Sequence, residues 1–203
     1  IDYGCASIST IAATDEYVAW LAQNEYNSLS IMITQGGGAV KISNDGIDNK
    51  LQSVQHPNDS TAVFYRQDGH LFYQLTFFNV ADNFTLVYDL TAKMFFNATD
   101  EDMNYHPVRQ VAFTNGSSYF VSLNDGSLYL FGDEYVSYNY NLDPTIPGEI
   151  IPRIRICKTL RKEDNSIFRC GMVALTLEMG QNITFTDQPA IDMSISKNGN
   201  QSF

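Results

Sequence analysis

The feature that most constrains this chain is a period-two alternation of apolar and polar residues, cut at short intervals by turns that need positive φ. Asp68-Gly69, Asn115-Gly116 and Asn124-Asp125-Gly126 each separate two alternating runs. Asp-Gly and Asn-Gly suit two-residue hairpins because both central positions of such a turn adopt left-handed backbone. Gln67 and His70 flank the first of these turns, and Thr91-Ala92-Lys93 marks another. Strands are predicted at 17–22, 30–34 and 39–43; at 62–66, 71–78, 84–90 and 94–96; and at 109–114, 118–123 and 127–131. Helix is confined to two short candidates, 9–17 and 45–51.

These sets read as one unit repeated. The runs beginning at Tyr17 (YVAWLA), Leu71 (LFYQLTF) and Ser118 (SYFVSLN) occupy similar places, each followed by a turn and a second strand (SIMIT, TLVYDL, SLYLFG). Their spacing of about 50 residues fits the blades of a β-propeller. Three blades are visible, below the usual minimum of about four.

The pattern changes after Tyr140. Pro144 and Pro147 mark a linker over 141–149. Longer strands are predicted beyond it, at 150–160, 168–179 and 190–196. The expected fold class is therefore all-β: antiparallel β-propeller-like blades over 1–140, then part of a second, sandwich-like β-sheet domain over 150–203. The chain opens at Ile1 and ends at Phe203, just past an Asn198-Gly199 turn whose return strand is only begun. It reads as an internal piece of a longer protein.

Apolar residues make up 44% of the 203, enough for a sizeable core, and 13 Phe and 12 Tyr favour strands. No run approaches the roughly 18 apolar residues of a membrane helix, and no signal-peptide pattern opens the chain. The 23 acidic residues outnumber 12 basic ones, a net charge of -11. That balance repels phosphate and argues against a conventional nucleic-acid binder. It argues less against a protein that DNA slides past. The plainer reading is that acidic charge keeps a β-rich chain dissolved. Seven of the 12 basic residues lie between Arg153 and Lys197; an interface and a solvated strand face explain this equally well.

No site chemistry is assigned: no catalytic, cofactor-binding or metal-binding residue. Cys5, Cys157 and Cys170 are too few for a disulfide scaffold. Reduced, buried cysteine is expected, although Cys157 and Cys170 lie on adjacent predicted strands. His56 and His106 each precede Pro, which favours extended geometry over helical ligand spacing. His70 follows a hairpin turn. Gly36-Gly37-Gly38 lacks the Lys-Ser/Thr and helix of a phosphate loop and reads as a hairpin loop. Asp100-Glu101-Asp102 and Asp133-Glu134 could hold calcium or act on a glycoside, but fall in predicted loops where solvated charge is the default. Asn58, Asn83, Asn97, Asn115, Asn182 and Asn200 each open an Asn-x-Ser/Thr triplet. Most fall at strand ends, where turn geometry selects Asn and Ser.

Three stretches together resemble the packaged-DNA stabilisation proteins, or tail hub and nozzle proteins, of short-tailed bacteriophages. The first is GCASISTIAATDEYVAWLAQN with GGGAVKISNDGIDNKL, similar to the family's blade. The second is GHLFYQLTFFNVADNFTLVYDLTAKMFF, similar to its Tyr-rich strand and Thr-Leu-Val-Tyr-Asp strand. The third is LEMG with QPAIDMSISKNGNQSF, similar to its closing Glu-x-Gly, Pro and turn. The match spans about Gly4 to Phe203 and is carried by order and spacing. Lys197-Asn198 departs from the family's acidic pair, and Phe95-Phe96 stands where the family often has Trp.

The resemblance implies a structural virion protein of the phage tail, without enzymatic activity or cofactors, assembled in the bacterial host cytoplasm. It implies self-association into a ring, a hexamer, below the portal and adaptor proteins. Such a ring would retain packaged DNA, guide its exit without sequence-specific binding, and carry tail fibres or spikes. No membrane is involved. The acidic balance would then suit a lumen that does not hold phosphate.

Two other classes compete. A glycan-binding or sialidase-like propeller needs an arginine cluster at its centre, and only Arg66 and Arg109 lie in the predicted blades. The final turn also departs from an Asp box: Asn198 replaces Asp, and one extra residue separates Gly199 from Ser202. A WD or kelch interaction propeller would show Trp-Asp or Gly-Gly repeats, whereas Trp20 is the only tryptophan.

Overall fold

The computed structural model describes residues 3–100 and 102–131, the backbone at 137–138 and 149–150, and positions 172, 174 and 193. The strands expected beyond Ile150, the pair Cys157 and Cys170, and the closing turn lie outside the described residues. The chain divides into two compact units, Ile1–Arg153 and Ile154–Phe203. The described strands all belong to the first unit.

The first sheet contains β1 (Gly4–Cys5), β2 (Ala12–Ala13), β3 (Val18–Gln23), β4 (Leu29–Thr34) and β5 (Val40–Lys41). β1 and β2 lie along the same edge of β3, with Cys5 opposite Ala22 and Ala12 opposite Ala19. Between them a 3-10 turn, Ile8–Thr10, leaves the strand. The helix expected over 9–17 is not formed, because hydroxyls compete for its backbone. Thr10 Oγ1 donates to Ser7 O at 2.6 Å and accepts the Leu21 N–H at 3.1 Å. Thr14 Oγ1 accepts the N–H of Glu16 and of Tyr17, closing the turn into β3. Cys5 is exposed rather than buried. It sits on a two-residue edge strand of which both residues are exposed.

The helix expected at 45–51 is present as α1 (Asp45–Gln52). Asn44 caps it, its Oδ1 accepting the Ile47 N–H at 3.0 Å. Asp45 and Asp48 lie in its first turn, where carboxylates suit the helix dipole. Leu51 is fully buried. Lys50 reaches the next sheet, 4.2 Å over the Phe84 ring and 2.9 Å from Asn97 Oδ1.

The second sheet is a four-stranded meander of β6 (Ser60–Gln67), β7 (His70–Asn79), β8 (Asp82–Asp89) and β9 (Met94–Ala98). The third comprises β10 (Val108–Thr114), β11 (Ser117–Ser122) and β12 (Leu128–Phe131). Two of their turns have the expected backbone, Asp68 and Gly69 at φ 49 and 81 and Asn115 and Gly116 at φ 51 and 80, whereas in the β11–β12 turn Gly126 alone is left-handed, at φ 71. The three repeated runs prove equivalent, β3, β7 and β11 each being a second strand and β4, β8 and β12 each a third. β13 (Ser137–Tyr138) pairs antiparallel with β14 (Glu149–Ile150), so Glu149 and Ile150, at the expected boundary of linker and second domain, are paired backbone.

The middle sheet is buried on both faces. On one face, Tyr73, Leu75 and Phe77 pack with Leu21, Ile31 and Leu51. On the other, Val63 and Tyr65 pack with Val108 and Phe120. β7 therefore loses its alternation, and every residue from Tyr73 to Phe77 is buried. Burying each large apolar side chain contributes about 1.5–3 kcal/mol. β6 lies beside β2 on one side and β10 on the other, so the first strands of the three sheets converge. Sheets stacked face to face around converging first strands have the arrangement of propeller blades. The far face of the third sheet carries Tyr119 opposite Leu130 and Val121 opposite Leu128; Leu128 and Leu130 are 66% and 40% exposed.

Candidate functional site

Three of the described carboxylates, Asp82, Asp89 and Asp100, hold backbone N–H groups of loops and turns. Asp82 is buried at the start of β8 and accepts the N–H groups of Gln55 and His56. Asp89 Oδ1 accepts those of Thr91 and Ala92, at 2.8 and 3.0 Å. Asp100 Oδ1 accepts those of Asp102 and Asn104, at 3.1 and 2.7 Å, with Met103 at φ 65. The Asp100 side of the first acidic cluster is thus turn geometry; Glu101, Asp133 and Glu134 lie outside the described residues. Among the described residues, no group of three or more His, Cys, Asp or Glu is placed to hold a metal ion.

The three histidines are not brought together. His56 Nδ1 lies 3.4 Å from Asp82 Oδ2, and His70 Nδ1 lies 2.6 Å from Asp89 Oδ2. An imidazole–carboxylate pair can orient a general base for a nucleophile. At His70 the imidazole instead stacks on Phe72, 5.9 Å between centroids, and its carboxylate is occupied by the β8–β9 turn. Burial pushes the Asp89 carboxyl up, but the Ala92 N–H, His70 and the Thr91 N–H outweigh it and hold the group below the usual range. His106 is different. It is half-buried at the seam of the second and third sheets, and burial lowers its imidazole to about 4. Gln74, Thr76 and Thr85, polar residues inside apolar runs, are buried at the same seam.

The remaining sequence candidates fall on the surface. Gly36-Gly37-Gly38 forms the loop between β4 and β5, with Thr34 Oγ1 donating to Gly37 O at 3.0 Å. That loop borders an open hollow of about 240 Å3 with Tyr17, Ile33 and Val40. A second open hollow, about 320 Å3, lies among Ala13, Phe64, Gln110, Tyr119 and Leu128. Arg66 on β6 and Arg109 on β10 are exposed, and both stand on the converging first strands. Asn115 occupies its turn; Asn83 and Asn97 lie within β8 and β9, where Asn83 Oδ1 accepts the Tyr105 N–H and Asn97 binds Lys50. Charge is unevenly spread. Residues 1–140 hold 16 acidic and 5 basic residues, and 141–203 hold seven of each. The whole excess of -11 belongs to the stretch that forms the sheets.

Stacked meanders with converging first strands point to a propeller of some family. Comparison with known families decides which. Residues 1–134 match the family model described as bacteriophage P22 Gp10, beta-propeller, a DNA stabilisation protein. The chain belongs to that phage stabilisation family. The matched stretch takes in all three sheets and ends just past Phe131. No curated protein matches the chain significantly. Members of the phage stabilisation family are structural proteins, and it is not a known enzyme family. As one of them, the chain is a phage structural protein that stabilises packaged DNA, belongs to the virion and assembles with other virion components.

Proposed function

We propose that this protein forms a ring, the hub or nozzle of a short phage tail, beneath the portal and adaptor. In this reading six copies surround the exit channel, retain packaged DNA and carry fibres or spikes on their outer side. The protein assembles in the bacterial host cytoplasm. Blades over 1–140 supply a rigid body, and 150–203 contributes to a second β domain across the linker at 141–149. The observation that carries the reading is the family match over the three stacked sheets. The confinement of the net charge of -11 to that stretch supports it: a duplex passing such a surface gains no counterion-release affinity and is not gripped.

The test is genetic and structural. Virions assembled without the protein are expected to package DNA and then leak it. Antibodies to the chain are expected to label the tail of intact virions. Particles that retain their DNA without the protein, or purified virions that lack it, would contradict the proposal.

A further inference from the structure

The seam between the second and third sheets differs from the seam between the first and second in holding a polar cluster around an imidazole. Gln74 and Thr76 are buried on β7, and Thr76 Oγ1 lies 3.1 Å from Thr85 Oγ1 on β8. The segment from β9 to β10 crosses here. Thr85 Oγ1 accepts the His106 N–H at 2.9 Å, which ties this segment to the second sheet. The His106 ring then lies against the third sheet, 5.7 Å from the Phe120 centroid and 6.0 Å from that of Phe131. Its Nδ1 is 3.4 Å from Gln74 Nε2. The following Pro107 O accepts the Leu123 N–H at 2.7 Å. Two consecutive residues thus join both sheets.

We propose that His106 is a latch between the second and third sheets, and that protonation of its imidazole releases the third sheet while the first two stay joined. With Gln74 Nε2 turned to the ring, Nδ1 of the neutral Nε2–H tautomer accepts from the amide; a proton on Nδ1 sets two donors against each other until the amide turns over. Gln74 Oε1 already lacks a hydrogen-bond partner, so the seam carries one uncompensated buried group before any charge is added.

Among the described residues, no carboxylate is paired with the His106 ring. On β8, Asp82 and Asp89 are engaged at the two ends of the strand. Asp100, at the start of the crossing segment, and Asp125, in the β11–β12 turn, accept backbone N–H groups. Tyr65, Tyr105 and Tyr129 are phenols, neutral in acid. Arg66 and Arg109 on β6 and β10 are exposed, and His70 at the far end of β7 is paired with Asp89.

Burial alone depresses the imidazole from 6.5 to about 4. A closed seam therefore binds the proton less readily than an open one, and opening grows about tenfold per pH unit as pH falls from 6.5 toward 4.

Amide hydrogen exchange on the 203-residue chain tests this, with intrinsic rates removed. Between pH 7 and pH 5, amides of β10 and β11 are expected to lose protection roughly twentyfold. Those of β3 and β4 should hold. In His106→Gln the dependence should vanish, whereas His56→Asn should keep it. The proposal is overturned by equal loss in all three sheets, by no loss in β10 and β11, or by dependence that survives in His106→Gln. Should that variant fail to fold, the His106 ring resonances of the native chain decide. Titration near 6.5 with the third sheet still protected overturns the latch; titration coupled to loss of that protection supports it.

Discussion

At Thr10, one hydroxyl closes two backbone gaps. It donates to Ser7 O within the 3-10 turn and accepts the Leu21 N–H that the interrupted strand leaves open. Thr10→Val keeps the shape and removes both bonds, leaving a buried donor unmatched. The expected loss is about 1–3 kcal/mol by urea denaturation, with Thr10→Ser close to the native chain. Glycine is also demanded at particular positions rather than generally. Gly116 has φ 80, and an added Cβ there meets nothing within 4 Å. Gly116→Ala is therefore expected to cost about 1–2 kcal/mol from backbone strain alone. Gly37, with open space and no positive φ, should accept alanine within about 0.5 kcal/mol. Equal effects at the two glycines would refute the role of backbone strain.

At the scale of strands and sheets, burial on two faces separates the middle sheet from the third. Leu75, fully buried on β7, is expected to cost about 2–5 kcal/mol when truncated to Ala. Leu128, on the open face of the third sheet, should cost about 0.5 kcal/mol or less in this chain. Thermal melts of the two variants check the contrast. The alternation of residues and the Asp-Gly and Asn-Gly turns made the strands legible, because period two and positive-φ turns are local properties. The equivalence of the runs from Tyr17, Leu71 and Ser118 followed from their shared place in the unit. What local pattern could not show was the interrupted first strand, since Ser7, Ser9, Thr10 and Thr14 satisfy helix-start and turn patterns alike. Nor could it show the seam at His106, whose partners Gln74 and Thr85 come from other strands and meet it only after the sheets stack. Nor can sequence alone separate the two uses of a residue like Asp100, since a carboxylate that closes a turn and one that holds a metal are the same letter.

For the whole molecule, the fold and the charge bear on the same function. In the proposed ring, three blades with an excess of 11 acidic residues would give DNA a surface to pass without lodging. The chain is accordingly expected to leave duplex DNA unretarded in gel shifts even at low salt; a shift that weakens with added salt would show a basic binding surface instead. The central claim is the ring. Native mass measurement on the full-length protein tests it most directly. A closed assembly of six subunits is the predicted result, and a monodisperse monomer at the concentrations of virion assembly would contradict it.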